Sequence, residues 1–352
     1  MVVVLGYGMI GSTIASELSK NYETTVIDKK NLKTENDSIK ILKGEIFDFP
    51  EILDEDDIIV SALPGNVSYA IIRKLLKSGK KIIDVSYMKE NPFTLTDVAL
   101  ENKGLYVPDA GYAPGLTNIV SGFFYKKYKP TQIEIYDGGL PKIKIPPLDY
   151  IITWNTSGLI DLYTRPARII RNGKILTLDP LENIEKTTLP GIGELESFPV
   201  DGLGTLLYTL KDVDIFERTY RYPGHLEKIK FLRDMDYFSD KKLNGLSPRE
   251  ITEKLFESKL KLQKEDLSIF QIKATGESEK EIFYVDYYDK ERGITSMARM
   301  TAFPATAIAE LVIDNRIDEI GIIPPEYLGF NFDIFQKIIA KLKDKGLNIN
   351  IS

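Results

Sequence analysis

Cysteine is absent from the 352 residues, and histidine occurs once, at His225. The first absence excludes disulfides, thiolate nucleophiles, cysteine–zinc sites and iron–sulfur clusters together. The second excludes a multi-histidine metal centre. A carboxylate-only Mg or Ca site stays open in principle, but there is no EF-hand-like loop, and no metal is expected. No run approaches the roughly 18 consecutive apolar residues of a membrane span, so no membrane partner is expected. The N-terminus, Met-Val-Val-Val-Leu followed by glycines, lacks the charged and apolar regions of a signal peptide, which makes the cytoplasm the expected location. An excess of basic residues is also missing: 46 Lys and Arg stand against 52 Asp and Glu, a net charge of −6. That speaks against a predominantly nucleic-acid-binding role, since phosphate binding needs a basic face. A local basic patch for a carboxylate or a phosphate remains compatible with it.

What is present describes a globular chain. Hydrophobic residues make up 43% and charged residues 28%, and the length suffices for two domains with a sizeable core each. Apolar, β-branched runs at 2–5, 24–27, 39–43, 58–63, 81–85 and 105–108 alternate with helical spacing at 12–20 and 67–76, the fourth run following an acidic loop. Alternation of this kind argues for a doubly wound parallel sheet. The pattern then changes. Strands are predicted at 132–138, 150–155, 168–172, 174–177, 214–222, 268–278 and 280–289, with a turn at Asn172-Gly173. Helices are predicted at 202–210, 225–233 and 247–262, the last opening on a Ser-Pro-Arg-Glu start signal. Two further helices are expected at 304–313 and 332–345. The predicted fold is α/β: an N-terminal Rossmann domain over 1–118 and 305–352, and an α+β second domain with a mostly antiparallel sheet over 119–304.

Gly6-Tyr7-Gly8-Met9-Ile10-Gly11 is a complete G-x-G-x-x-G in the setting its physics requires, after a buried strand and before a helix. Gly6 makes the tight turn, Gly8 lets the backbone approach a pyrophosphate, and Gly11 lets helix and strand pack closely. The diphosphate would rest on the helix N-terminus, beside Met9 and Ile10, where free N–H groups favour negative charge. Asp28 ends the second strand, placed to accept hydrogen bonds from ribose hydroxyls. A carboxylate there favours NAD over NADP, although Lys29 and Lys30 could each reach a 2′-phosphate and leave NADP open. The small-residue loop Ser61-Ala62-Leu63-Pro64-Gly65 follows the fourth strand and should cover the nicotinamide-side ribose through Ala62, Leu63 and Pro64.

Four later segments are distinctive: Asp109-Ala110-Gly111-Tyr112-Ala113-Pro114-Gly115, Gly138-Gly139-Leu140-Pro141, Asp201-Gly202-Leu203, and Tyr220-Arg221-Tyr222-Pro223-Gly224-His225. In order and spacing they resemble the saccharopine dehydrogenase-like family, which includes saccharopine reductase and lysine 6-dehydrogenase. The resemblance runs from residue 1 to about residue 325. It implies a Rossmann domain with a sheet-bearing second domain used for homodimerisation, a small amino-acid substrate, and oxidation or reduction at a carbon–nitrogen bond. Saccharopine reductases have an aspartate just before the Pro-Gly; Ala113 stands there, which looks more like the lysine 6-dehydrogenase branch. The arginine that binds a substrate carboxylate in the family matches Arg221.

On this reading Arg221 clamps the α-carboxylate bidentately. Asp109, at the carboxyl edge of the sheet, holds the substrate ammonium. His225, at a helix start that lowers an imidazole pKa, is a neutral base near pH 7. Tyr112 and Trp154, the only tryptophan, wall the pocket. The leading expectation is NAD-dependent oxidative deamination of L-lysine at its ε-carbon. The alternatives are a reductive condensation with NAD(P)H, of the saccharopine or carboxynorspermidine type, and a non-catalytic dinucleotide-binding protein.

Overall fold

The opening apolar run forms β1 (Val2–Leu5), buried along its whole length, as a strand must be when both faces of its sheet are covered. The structure is a computed structural model that describes residues 1–50, 58–262 and 264–351. The acidic loop read ahead of the fourth strand, at 51–57, lies outside the described residues. After β1 come α1 (Met9–Leu18), β2 (Thr24–Asp28), β3 (Ile39–Lys43), β4 (Ile58–Ser61), α2 (Gly65–Leu76), β5 (Lys81–Asp84), α3 (Thr96–Glu101), β6 (Leu105–Val107) and α4 (Leu116–Tyr128). A second series follows: β7 (Gln132–Pro141), α5 (Thr156–Thr164), β8 (Ala167–Arg171), β9 (Lys174–Leu178), β10 (Glu185–Leu189), β11 (Gly193–Pro199), α6 (Leu206–Thr209), β12 (Asp214–Arg221), α7 (His225–Asp234), α8 (Pro248–Leu260), β13 (Asp266–Thr275) and β14 (Glu279–Tyr287). The chain closes with α9 (Ser296–Ile313), β15 (Gly321–Ile322), α10 (Pro325–Phe330) and α11 (Phe332–Asp344).

Two compact units result, Met1–Lys127 with Ala298–Asn350, and Tyr128–Met297 with Ile351. The sequence reading put the crossings at 118 and 305, inside α4 and α9. The first unit's sheet has the order β15-β6-β5-β4-β1-β2-β3, and every pairing in it is parallel. From β1 the chain runs outward to β2 and β3 on one side and to β4, β5 and β6 on the other. The carboxyl end of the β1–β4 boundary is therefore a topological switch point, where such sheets open a crevice. Its core gathers Val3, Leu5, Ile59, Ile72, Leu75, Ile82 and Tyr106.

The second unit carries a mixed sheet in the order β10-β11-β12-β7-β13-β14, with β8 pairing β12 and β9. Only β7 and β12 run parallel; the other pairings are antiparallel. Asn172 and Gly173, both at positive φ, close the β8–β9 hairpin as the sequence predicted. Among the described residues no helix is long and apolar enough to cross a membrane.

Three predicted elements take another form. Residues 150–155 are irregular rather than a strand. Their Tyr150, Ile151 and Ile152 are buried, but Ile152 N–H bonds the Leu260 carbonyl at the end of α8, so the apolar run packs on helices instead of joining a ladder. Residues 202–210 hold only the single turn α6. The helix read from Pro304 begins at Ser296 and keeps Pro304 in its interior. Ala298, Met300, Ala302 and Phe303 ahead of the proline are all buried, and that packing outweighs the lost backbone bond.

Candidate active site

In the first unit the glycine loop is built from local sterics. Gly6 has φ of +88°, and a Cβ there would stand 2.9 Å from the Ala62 carbonyl oxygen. A Cβ on Gly11 would stand 2.0 Å from the Gly6 carbonyl oxygen, so only glycine lets α1 pack this close to the turn. At Gly8 nothing lies within 4 Å of an added Cβ. Gly8 is also the N-cap of α1 and offers no side-chain cap, leaving the helix's first N–H groups for an anion. Ala62 N–H bonds the Leu5 carbonyl at 2.8 Å, which holds the loop Ala62-Leu63-Pro64 against the glycine turn. Asp28 Oδ2 accepts from Tyr7 N–H and Oδ1 from Lys30 N–H, each at 2.8 Å. The carboxylate thus ties β2 to the glycine loop, and each oxygen retains a second lone pair for a ribose hydroxyl. Met9 projects at the exposed mouth of the loop, and Ile10 is half-buried beside it. An open cradle at Gly8, an uncapped helix start and an acidic strand end fit a dinucleotide.

The sequence reading missed Asp84, at the end of β5. It is fully buried and meets Ser86 Oγ at 2.6 Å, Ser68 Oγ at 3.3 Å and Tyr106 Oη at 3.2 Å. Burial pushes its carboxyl up, against the hydrogen bonds of Ser86, Ser61 and Tyr106, which pull it down. Ser86 Oγ also lies 2.8 Å from the Leu63 carbonyl. Ser86 Oγ thus lies within donating distance of both the Asp84 carboxylate and the Leu63 carbonyl, and Ser86 N–H donates to Asp84 Oδ1 at 3.2 Å. Through Ser86, Asp84 is tied to the Ala62-Leu63-Pro64 loop. Its only sequence signal is an acidic residue closing an apolar strand, the same signal that marked Asp28.

The segment 109–115 follows β6. Asp109 is buried at a φ of +50°, and Tyr112 is buried as well. Gly115, at φ of +139°, folds so tightly that an added Cβ would stand 2.1 Å from the Gly111 carbonyl oxygen. Glycine at 115 is thus required by the backbone that follows Asp109 and Tyr112.

In the second unit Arg221 closes β12 and His225 opens α7. Gly224, at φ of +84°, turns the chain between them. Arg221 is 2% exposed. Its Nε donates to Tyr163 Oη at 3.0 Å, and Nη1 donates to Thr219 Oγ1 at 3.2 Å and to the Tyr220 carbonyl at 2.7 Å. The guanidinium lies 4.7 Å from the Tyr150 ring centroid, a cation–π contact. His225 Nδ1 is 2.7 Å from the Leu148 carbonyl and Nε2 is 2.8 Å from Tyr163 Oη. A carbonyl only accepts, so Nδ1 carries the proton, and neutral Nε2 accepts from the tyrosine. Burial, then the charges of Arg221 and Lys228, push His225 down to about 3, against the Leu148 bond that pulls it up. This corrects the base near pH 7 read from the sequence. The imidazole is neutral as expected, but 1% exposed with both nitrogens engaged, and it orients Tyr163 and through it Arg221. The α7 N-terminus is held by Glu196, whose oxygens accept from Gly224 and Leu226 N–H at 3.2 and 2.7 Å.

Trp154 is half-buried against the core of Tyr150, Ile152, Leu159 and Tyr163; a Cβ on Gly158 would stand 2.7 Å from its ring. Asp201, from another distinctive segment, is structural: it meets Arg168 Nε at 2.7 Å and Nη2 at 2.9 Å. The structure thus gathers Gly6, Gly8, Gly11, Asp28 and Ala62–Pro64 in one unit, with Asp109 and Tyr112 on the same unit, and Arg221 with His225 in the other. Tyr163, Tyr150 and Thr219 were not singled out, because only the fold brings them to Arg221.

Comparison with known proteins bears on both halves. Residues 2–107 match the model of the saccharopine dehydrogenase NADP binding domain, and residues 111–347 that of the saccharopine dehydrogenase C-terminal domain. A saccharopine dehydrogenase [NADP(+), L-glutamate-forming] of Schizosaccharomyces pombe is 23% identical over 214 residues, covering 55% of this chain and 46% of the relative. The mitochondrial alpha-aminoadipic semialdehyde synthase of Rattus norvegicus is 24% identical over 198 residues, 50% of this chain and 21% of the relative. The chain thus spans about half the length, or less, of the curated relatives it matches. Among solved structures, the apo saccharopine dehydrogenase (L-Glu forming) of Saccharomyces cerevisiae superposes with a TM-score of 0.78 at 18% identity, covering 98% of this chain and 97% of the other. The homospermidine synthase of Legionella pneumophila in complex with NAD superposes with a TM-score of 0.67 at 14% identity, covering 97% and 88%.

Proposed function

The chain belongs to the saccharopine dehydrogenase family, and on that premise we propose that it is an NAD(P)-dependent oxidoreductase acting on the carbon–nitrogen bond of an amino acid. The more specific reading is oxidation of L-lysine at its ε-carbon with NAD. The observation that carries the proposal is the empty surround of Gly8, between two glycines that the backbone itself demands. Space there serves a ligand, not the fold. Asp28 supports NAD over NADP, since a second negative charge beside its carboxylate is repelled. Ala113, where saccharopine reductases carry an aspartate, supports lysine over saccharopine.

A bound nicotinamide supplies the hydride acceptor. The chain's own residues handle charge and protons. Arg221 binds the substrate carboxylate, with Tyr163 and His225 fixing the guanidinium. Asp109 takes the proton of the reacting ammonium, which leaves the lone pair that expels hydride. A homodimer is part of the same proposal.

The test is NAD and NADP reduction by the purified protein with a panel of free amino acids. NADH should form with lysine, faster at alkaline than at neutral pH, and Asp109→Asn should lower kcat by about 100-fold or more. No reduction with any amino acid would end the amine-oxidation reading. The second reading, reductive condensation, draws on the L-glutamate-forming relative; it predicts NADPH consumption with lysine plus an aldehyde substrate and none with lysine alone.

A further inference from the structure

Asp137 lies in β7 directly opposite Thr219 of β12. Arg221, two residues beyond Thr219, shares that face of the sheet, because strand side chains alternate with a period of two. The Asp137 side chain bonds Thr219, and its Oδ1 is buried without a hydrogen-bond partner. Arg221 does not satisfy it: Nη1 is spent on Thr219 and the Tyr220 carbonyl, and Nε on Tyr163. A buried carboxylate oxygen left unpaired is costly. Burial pushes this carboxyl up to about 6, with Thr219 and then Arg221 pulling it down.

The next residue on the same face is Gly139, opposite Ser268 of β13. Ser268 Oγ and Thr153 Oγ1 are also buried without partners; where a Gly139 Cβ would be, the flexible Met297 side chain comes nearest, its Cε at 2.3 Å, and Thr153 Oγ1 stands 3.6 Å away. Oxygens without partners on Asp137 and Ser268 thus lie on the sheet face that carries Arg221, with Thr153 beside Gly139. Phe270, fully buried and opposite Asp137 on its other side, closes the edge with an apolar ring.

We propose that Asp137, with Thr153 and Ser268, holds the α-ammonium of an amino acid whose carboxylate sits on Arg221, so that the second unit reads the zwitterionic head. This rests on the amino-acid reading above and names the group that selects α-amino acids over plain carboxylates. The chemistry is complementary: an ammonium has three N–H donors and no acceptor, the carboxylate oxygen accepts, and each hydroxyl can accept through a lone pair.

The experiment measures binding of L-lysine and of 6-aminohexanoate, which lacks only the α-ammonium, to the NADH-loaded protein by calorimetry, alongside KM for both. Wild type should bind lysine at least about tenfold more tightly than 6-aminohexanoate. Asp137→Asn should lose that preference through weaker lysine binding, with 6-aminohexanoate and NADH affinities unchanged. Wild type with no preference, or a variant that keeps it, overturns the proposal, and the wild-type comparison needs no variant to fold. If wild type neither binds nor oxidises any amino acid, the functional reading fails as well; if it turns lysine over without discriminating the two ligands, only this inference fails.

Discussion

Replacing Gly8 by valine puts two methyl groups into a space where no atom lies within 4 Å of the added Cβ. The folded chain has nothing to clash with, so the melting temperature should stay at the wild-type value while NAD affinity falls by about tenfold or more. Gly11→Ala is the opposite case. Its methyl would overlap the Gly6 carbonyl, and the shift needed costs about 1–3 kcal/mol, read as a lower denaturant midpoint. Equal effects of the two substitutions on stability would remove the cradle assignment. The glycines were legible in the sequence because their constraints are local: a turn, a close approach, a helix start. Asp137 and Tyr163 were not, since the first is brought to the face of Arg221 by the β7–β12 register and the second meets it across the core. His225 was half legible. A helix start sets the direction of its shift, but burial and the Arg221 charge, which the sequence does not display, set how far it goes.

Helices α9 and α11 are joined by Glu310, which is buried and accepts from Lys341 at 2.8 Å and Lys345 at 2.6 Å. Burial raises its carboxyl, and the two lysines more than offset this, leaving it below the ordinary value of 4.5. A depressed carboxyl stabilises the fold in full above the unfolded value, and that contribution is lost as pH falls through the folded one. The melting temperature should therefore drop on acidification below about 4.5, and Glu310→Gln should flatten that part of the profile. An identical slope in the variant would show that other groups carry it. At this scale the sequence served well where periodicity and end signals agree. Ser247 and Glu250 form a capping box with Pro248 at the first helical position, just where the start signal put α8. It failed where one signal was ambiguous. The apolar run at 150–155 has strand composition, yet Asn155 caps α5 by accepting from Gly158 N–H, which commits the preceding residues to feeding a helix.

The first unit is discontinuous, and its last segment is structural rather than decorative. Phe335 of α11 stacks on Phe123 of α4 with centroids 4.0 Å apart. Gly122 and Gly329 let α4 and α10 touch backbone to backbone, an added Cβ at either standing 2.2 or 2.0 Å from a carbonyl oxygen of the other helix. A chain ending at Met297 would expose that face of α4 and the outer edge of β6. It should lose NAD binding and cooperative melting, followed by calorimetry and circular dichroism; wild-type NAD affinity in the shortened chain would contradict this. Alternating strands and helices made β1 to β6 legible, because the inner strands are hidden on both faces and read as apolar runs, whereas α4 and the short β15 were not read. The second sheet, exposed in part, gave weaker runs, and β10 and β11 passed unread.

The same discontinuity sets an order for biogenesis. The glycine loop precedes the middle segment in the chain, yet the helices that complete its unit follow that segment. The uninterrupted middle segment can collapse before those helices are made, whereas the nucleotide-binding half waits, with α4's apolar side uncovered, until they are. The nascent chain is therefore most in need of chaperone protection in that interval, and the cofactor can first be captured only once those helices have joined the unit.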